Sequence, residues 1–220
     1  LKAISEFGAL PVLTWEPMYY FAGREHMISA REITSGKYDP YIHDFALKVR
    51  GFSSPVIIRL AHEMNLARYH WGGTAEEYGP GSPARYIRMF RHVVKIFQEN
   101  EVENALFAFC PNHQSLPDPE SDPEAGWNQA VNYYPGDEYV DILGMDGYNW
   151  GTARTVEEHG WKSSWLTFEE IFRDVYQKLK KINPRLPLYV FETSSVRQGG
   201  DRNRWIRDAL ATAEKWDLAG

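Results

Sequence analysis

Short, nearly continuous apolar runs alternate along this chain with stretches whose apolar residues recur at helical spacing. The runs are four to seven residues long and rich in β-branched and aromatic residues, a pattern typical of strands buried on both faces. They lie at residues 9–15, 55–60, 105–109, 140–144 and 187–191. Because helices between buried strands indicate βα units on a parallel sheet, the pattern predicts an α/β fold.

Capping residues indicate where the intervening helices begin. Ser82 can cap a helix that carries Pro at its first position, and Thr167 with Glu170 fits a capping box. Asp201 can cap the last helix, within which we expect the chain to end. Residues 1–7 read as the tail of a further helix.

The loops that follow the strands are long, whereas those that follow the helices are short. The long loops cover residues 16–39, 61–81, 110–138 and 145–166. Long loops at the carboxyl ends of the strands are typical of a (β/α)₈ barrel, which has its active site there. An open doubly wound sheet also binds ligands at this end. No strand is followed by Gly-x-Gly-x-x-Gly or Gly-Lys-Ser/Thr, which argues against nucleotide binding.

Composition narrows the classes of function. The 220 residues carry a formal net charge of −6, which argues against a nucleic-acid-binding surface. No apolar stretch reaches the roughly 18 residues that would span a membrane. The single cysteine excludes an intrachain disulfide and a multi-cysteine metal site. Aromatic residues make up 15% of the chain, and such residues are frequent in binding clefts.

Two carboxylates come at the ends of predicted strands. Glu63 follows the run at 55–60, and Glu192 follows the run at 187–191, so both belong to the same edge of the sheet. Two such acids about 5–5.5 Å apart would constitute a retaining glycosidase. The alternative is that each glutamate only pairs with an arginine. A His-Glu-x-x-His zinc motif fails because Leu66 occupies the position of the second histidine.

Other polar and aromatic residues share this edge. Tyr148 follows a strand and could donate a hydrogen bond to a neighbouring carboxylate, keeping it ionised. Glu16 is a third acid there, suited to accept a substrate hydroxyl or to make a structural contact. Several tryptophans lie in the same loops and could stack on pyranose rings, or simply belong to the core: Trp71, Trp127, Trp150, Trp161 and Trp165.

Together these segments resemble the family 26 glycoside hydrolases, a family of retaining endo-acting enzymes with a (β/α)₈ barrel. The matching segments follow the family's order over nearly the whole chain: Thr14-Trp15-Glu16-Pro17, Arg59-Leu60-Ala61-His62-Glu63-Met64-Asn65, Cys110-Pro111-Asn112, Tyr134-Pro135-Gly136-Asp137, Asp146-Gly147-Tyr148-Asn149-Trp150-Gly151 and Phe191-Glu192. The His-Glu-Met-Asn and Asp-Gly-Tyr-Asn segments are specific as a pair.

The resemblance implies a role for individual residues. Glu63 would be the general acid/base at the end of barrel strand four, and Glu192 the nucleophile at the end of strand seven. His62 would contact the sugar before the cleaved bond, and Tyr148 would hold the nucleophile. We also expect substrate contacts from a further set of matching or nearby residues: Trp15, Glu16, Arg59, Asn65, Trp71 and Trp150. Neither a cofactor nor a metal is implied.

The sequence departs from the family pattern in two respects. Arg68 stands where a tryptophan is common, which puts the platform on the leaving-group side in doubt. Counting strands from the two glutamates gives barrel strands three to seven only, so the resemblance implies a single catalytic domain over 1–220 that is an incomplete barrel. Five strands leave two open edges.

The resulting prediction is endo-acting hydrolysis of a β-linked plant polysaccharide, with β-1,4-mannan as first choice. Alternatives within the family are a mixed β-1,3/1,4-glucanase (a lichenase) and a β-1,3-xylanase. An alternative of another class is a non-catalytic carbohydrate-binding barrel. We expect polysaccharide or oligosaccharide as partner, no nucleic acid or membrane, a monomeric full-length protein and, from the family resemblance, secretion.

Overall fold

The computed structural model describes residues 1–71 and 73–220. Its strands are β1 (Val12–Trp15), β2 (Met18–Phe21), β3 (Arg24–Met27), β4 (Val56–Leu60), β5 (Ala105–Phe109), β6 (Ile142–Asn149) and β7 (Leu188–Ser195). Its helices are α1 (Lys2–Glu6), α2 (Ala30–Thr34), α3 (Asp39–Arg50), α4 (Ser82–Glu99), α5 (Val156–His159), α6 (Phe168–Ile182) and α7 (Arg202–Lys215). Short 3₁₀ helices cover Ala67–Tyr69, Pro123–Asn128 and Ala130–Tyr133.

Five of these strands form one parallel sheet in the order β1-β4-β5-β6-β7. This arrangement confirms the α/β fold and the five strands predicted from the apolar runs. The crossover helices α3, α4 and α6 pack their apolar faces on one side of the sheet, as βα units require. Among the described residues, none of the helices combines the length and hydrophobicity needed to cross a membrane.

The two faces of the sheet are packed differently. Side chains such as Ile58, Phe109 and Leu143 belong to the large core between the sheet and the helices. The opposite, inner face carries a small cluster centred on Ile57 and Ala108. That inner face leads up to the carboxyl ends of the strands, where the polar residues of interest lie.

The helix starts follow the predictions with one exception. Thr167 forms a capping box with Glu170, and the Asp201 side chain accepts from two backbone N–H groups of α7. The prediction for Ser82 is wrong, because Gly81 is the N-cap and Ser82 is the first helical residue. The Ser82 hydroxyl instead accepts a hydrogen bond from the Gly79 N–H at 3.0 Å.

The loop after β1 contains structure that the sequence analysis missed. β2 and β3 pair as an antiparallel hairpin in which Tyr20 faces Glu25 across the strands. Helix α2 follows, and its N-cap Ser29 makes a capping box with Glu32. Apolar and polar residues alternate only weakly along the hairpin, because the side chains near its turn are exposed on both faces.

The last residues do not lie within a helix as expected. Helix α7 ends at Lys215, and the chain then runs beside β7. The Ala219 N–H donates to the Leu188 carbonyl, and the Val190 N–H donates to the Gly220 carbonyl, both at 2.8 Å. The prediction that the chain ends inside a helix is therefore wrong.

An irregularity between β6 and β7 decides which way Glu192 faces. Met145 pairs with Val190, but the next residue, Asp146, pairs with Glu192, so Phe191 is an extra residue on β7. A one-residue insertion reverses the alternation of side chains along a strand. The bulge therefore brings Glu192 onto the inner face beside Asp146, while the Phe191 ring stacks on Tyr189 at 5.6 Å. Both strands also extend beyond their predicted ends.

The bulge depends on the absence of a side chain at Gly144. A Cβ there would lie 2.6 Å from the Phe191 ring. We expect Gly144→Ala to lower the free energy of unfolding by about 1–3 kcal/mol, the usual cost of overpacking. Urea unfolding measures this change. Gly126→Ala is the control, since its Cβ would meet nothing within 4 Å; equal midpoints for the two variants would contradict the packing argument.

Candidate active site

Glu192 on β7 is held by two hydrogen-bond donors, one from β6 and one from β4. The Tyr148 hydroxyl donates to Oε2, and Nη2 of Arg59 donates to Oε1. Partial burial raises the pKa of this carboxyl, but the Tyr148 hydrogen bond and the Arg59 cation outweigh burial and leave its pKa lowered. Glu192 is therefore ionised at neutral pH and keeps about a third of its side-chain surface exposed (34%).

Arg59 connects Glu192 to a buried acid. Its Nη1 lies 3.3 Å from Oδ1 of Asp146, whose side chain is fully buried. Burial raises the pKa of Asp146 to about 8 in spite of the opposing attraction of Arg59. Asp146 had no predicted role, although its spacing of two residues from Tyr148 puts both on one face of β6.

His62, Asp146 and Glu192 also lie close enough to suggest a metal site. One ligand atom from each lies within 4.8 Å of the others. The guanidinium of Arg59 already contacts both carboxyl groups. It therefore supplies the positive charge that a metal ion would otherwise bring to them. The donor set therefore fits the hydrogen-bond network of Arg59 and not a divalent cation.

Glu63 has the opposite electrostatic environment from Glu192. It is 7% exposed, and its Oε1 accepts a hydrogen bond from the Asn112 amide at 2.6 Å. Burial raises the pKa of Glu63, the Asn112 hydrogen bond opposes this rise, and the charge of Glu192 adds to it. The pKa of Glu63 is therefore raised, whereas that of Glu192 is lowered.

The backbone around Glu63 is strained. Ala61 and Glu63 have φ of +48° and +54°, the left-handed region that non-glycine residues rarely adopt. The Glu63 N–H donates to the Cys110 carbonyl at 2.8 Å, which fixes the turn against the end of β5. Such conformations cost of the order of 1–3 kcal/mol each and are concentrated at functional sites.

His62 is buried and approaches Glu192. Its Nε2 is 3.9 Å from Oε1 of Glu192, and its ring packs at 5.1 Å from the Tyr69 ring. Burial, together with the Arg59 cation, lowers the pKa of His62 to about 4. The imidazole is thus neutral near pH 7 and can donate or accept a hydrogen bond without carrying charge.

The family comparison agrees with this geometry. The profile described as "Glycosyl hydrolase family 26" matches residues 41–163, more than half of the chain. The chain belongs to glycosyl hydrolase family 26. The matched range includes Glu63 and Tyr148, whereas Glu192 lies beyond its end.

The curated relatives of this chain carry two kinds of name. Endoglucanase H of Acetivibrio thermocellus is 32% identical over 208 residues, which are 94% of this chain and 20% of that protein. A mannan endo-1,4-beta-mannosidase of Bifidobacterium adolescentis is 30% identical over 96 residues, 43% of this chain and 8% of the relative. The chain thus spans a fifth or less of these relatives.

Solved structures show the fold. The catalytic domain of a Bacillus sp. JAMB-750 GH26 endo-beta-1,4-mannanase aligns with a TM-score of 0.66 at 22% identity, covering 97% of this chain and 55% of that one. The Bacillus subtilis mannanase BCman aligns with a TM-score of 0.64 at 16% identity, covering 98% and 60%. The chain has the (β/α)₈-barrel fold of this family, of which the described residues form five parallel strands, barrel strands three to seven.

Two residues that the resemblance assigned to substrate are buried in supporting positions. Trp71 is 3% exposed, its indole N–H donates to the His62 carbonyl, and Tyr69 stacks on its ring at 4.9 Å. Asn65 is 1% exposed, and its amide donates to the carbonyls of Asn112 and Gln114 at 2.9 and 2.8 Å. The geometry therefore corrects both expectations: Trp71 supports His62, and Asn65 holds the loop that carries Asn112.

The other expected contacts are divided between the core and the edge of the sheet. Trp15 packs on Phe45 of α3 at 4.4 Å, on the helix side of the sheet and away from the carboxylates, which corrects its predicted role. Trp150 lies 5.7 Å from Tyr148, with one face covered by the Arg154 guanidinium at 4.2 Å.

Three residues near the glutamates were missed: Asp146, Asn112 and Tyr69. Asn112 lies in the matching Cys-Pro-Asn segment, so its position directly after β5 was an available signal. Tyr69 is half-buried, and the charges of Glu63 and Glu192 contribute to the raised pKa of its hydroxyl, for which burial is the largest cause. Nothing in the local sequence distinguishes it from the other tyrosines of this loop.

Proposed function

We propose that this chain carries the catalytic carboxylates of an endo-acting, retaining glycoside hydrolase. The observation that supports this most directly is the opposite displacement of two pKa values, raised at Glu63 and lowered at Glu192. Pairs of acids whose surroundings separate their pKa values divide the roles of proton donor and anion. A carbohydrate-binding protein without activity has no chemical need for that separation.

In the proposed first step, Glu63 donates its proton to the glycosidic oxygen while a carboxylate oxygen of Glu192 attacks the anomeric carbon. The C–O bond to the leaving sugar breaks, and a glycosyl–enzyme ester forms. Glu63, now ionised, removes a proton from water, and the water oxygen displaces Glu192 from the anomeric carbon. Two inversions give net retention, and Arg59 and Tyr148 hold Glu192 in position for attack.

The charges around the site support a neutral polysaccharide as substrate. The acids Glu16, Glu63 and Glu192 lie at the carboxyl edge of the sheet, and Arg59, the cation that acts on all three, is already paired. A polyuronate would bring further negative charge to this surface. A polymer also cannot diffuse into a cell, so this function implies export of the protein.

β-1,4-Mannan is the proposed substrate, because the shorter curated matches and the solved structures carry mannanase names. Mixed β-1,3/1,4-glucan is the second candidate, because the relative named Endoglucanase H matches 94% of the chain. We expect reducing-sugar release from mannan to exceed that from barley glucan and β-1,3-xylan. Faster release from either of the other two polymers would reassign the substrate and leave the catalytic roles intact.

Substitution of the two glutamates tests the mechanism. We expect Glu63→Ala to lose about 10²–10⁴-fold in rate on polysaccharide, the usual contribution of a general acid. An aryl glycoside with a good leaving group should still release its phenol in a burst, with turnover restored by azide. Glu192→Ala should lose both reactions. The control Glu103→Ala changes an exposed acid at the opposite end of the strands; equal losses on both substrates for Glu63→Ala would contradict its role.

The pH profile of kcat/KM should be bell-shaped. Activity is lost on the acidic side as Glu192 takes up a proton, and on the alkaline side as Glu63 loses one. Tyr148→Phe removes a hydrogen bond that favours the anion, so the acidic limb should move to higher pH while the alkaline limb moves less. Tyr176→Phe is the control, because its hydroxyl donates to the Trp216 carbonyl away from the site. An unshifted acidic limb would show that Tyr148 does not tune Glu192.

A further inference from the structure

Three asparagines connect the loop after β5 to the carboxyl group of Glu63. The Asn112 amide donates to Oε1 of Glu63 at 2.6 Å. The Asn65 side chain holds the backbone of Asn112 through two hydrogen bonds of 2.9 Å, accepting from its N–H and donating to its carbonyl. Nδ2 of Asn128 donates to the Asn65 carbonyl at 3.1 Å. We call Asn65, Asn112 and Asn128 the asparagine network.

Asn128 is the buried end of the asparagine network. It is the last residue of the second 3₁₀ helix, and it is 0% exposed. Its Nδ2 also donates to the Pro117 carbonyl at 2.9 Å. Its Oδ1 lies 3.0 Å from the Tyr78 hydroxyl and 2.8 Å from the Tyr133 hydroxyl, both of which can donate to it. An amide offers two donors and two acceptor sites, so all four have partners here.

These partners allow only one orientation of the Asn128 amide. The Asn65 and Pro117 carbonyls can only accept, so they require the amino group. Burial raises the pKa of Tyr78 to about 12 and that of Tyr133 well above its usual value, so both hydroxyls stay protonated and donate to the amide oxygen. A reversed amide would direct its oxygen at two carbonyl oxygens. The Asn65 carbonyl therefore has a fixed donor in a fixed place.

The electrostatic environment of Glu63 shows what a displaced Asn112 would change. Burial raises the pKa of Glu63, and the hydrogen bond from Asn112 is the largest opposing contribution. Loss of that bond would therefore raise the pKa of Glu63 further. The other titratable and charged groups that act on Glu63 come from four strands and one loop: Arg59 on β4, Tyr69 in the loop after β4, Cys110 directly after β5, Asp146 and Tyr148 on β6, and Glu192 on β7.

We propose that Asn128 is a positioning residue for the Glu63 carboxyl and acts on it through the asparagine network. It fixes the Asn65 carbonyl, and Asn65 in turn fixes the backbone from which the Asn112 amide reaches Oε1. Because that amide can only donate, Oε1 must accept, so the neutral acid carries its proton on Oε2. The network thus assigns the transferable proton to one oxygen. This inference rests on the proton-donor role proposed above for Glu63.

The alkaline limb of the pH profile of kcat/KM tests the network. We expect Asn112→Ala to move this limb up by about one pH unit, as loss of a hydrogen bond to a charged group implies. Asn128→Ala should move it in the same direction by about half as much. The double variant Asn112→Ala/Asn128→Ala should show only the shift of Asn112→Ala, because both changes act through one amide.

Asn104→Ala is the matched control. The Asn104 amide also donates to three loop carbonyls, at 2.8, 2.6 and 3.2 Å, but it precedes β5 and so lies at the opposite end of the strands from Glu63. This variant should leave the alkaline limb in place. An unmoved limb in Asn128→Ala overturns the proposal, as does an equal shift in the control.

Substrates with different leaving groups separate positioning from a loss of folded protein. A smaller folded fraction lowers the rate equally for every substrate. A misplaced proton donor lowers the rate on polysaccharide, about tenfold in Asn128→Ala, and spares the burst of phenol from an aryl glycoside with a good leaving group. Equal losses on the two substrates would leave Asn128 with a structural role only and overturn the proposal.

Two further measurements cover failure of the variant or of the proposed function. If Asn128→Ala does not fold, Tyr78→Phe/Tyr133→Phe removes both hydroxyls that orient the amide and keeps the two rings; an unmoved limb then counts against the network. If the protein hydrolyses none of these substrates, carboxyl NMR titration of Glu63, assigned by its loss in Glu63→Gln, replaces kinetics. A higher pKa in Asn128→Ala supports the network without catalysis, and an unchanged pKa overturns it.

Discussion

The arrangement of the site depends on one buried cation. Arg59 projects from β4 and contacts Asp146 on β6 and Glu192 on β7, so it joins three strands at the carboxyl edge of the sheet. A buried charge is costly unless it is paired, and removal of one partner from such a group typically costs about 3–5 kcal/mol. The same contacts that fix the ends of these strands therefore also fix the carboxylate oxygen of Glu192.

Two glutamates at the same edge acquire different proton affinities because burial raises the pKa of Glu63, whereas Glu192 accepts a hydrogen bond from this cation. Glu192 receives the Arg59 and Tyr148 donors, and the bulge at Phe191 turns it toward them. Glu63 has a left-handed backbone, is 7% exposed and receives an amide donor from Asn112. The backbone irregularities at the two glutamates, more than the choice of residue type, thus separate their pKa values.

The sequence predicted the parts of the molecule that depend on local pattern. The apolar runs, the capping box at Thr167 and the cap at Asp201 are local features, and the structure confirms them. The bulge at Phe191 could not be predicted, because alternation along β7 carries no mark of the register it adopts against β6. The hairpin of β2 and β3 was missed for a related reason, since it buries little apolar surface of its own.

Some aromatic residues at this edge are buried and others keep contact with solvent, and the sequence does not distinguish the two groups. Trp71 has a large apolar ring and one donor, and the His62 carbonyl satisfies that donor, so the indole is stable in the interior. Tyr20 and Tyr69 keep more contact with solvent and lie beside the Arg68 guanidinium. Burial of tryptophan here stabilises the loop, because the apolar ring leaves water and its single hydrogen-bond donor keeps a partner.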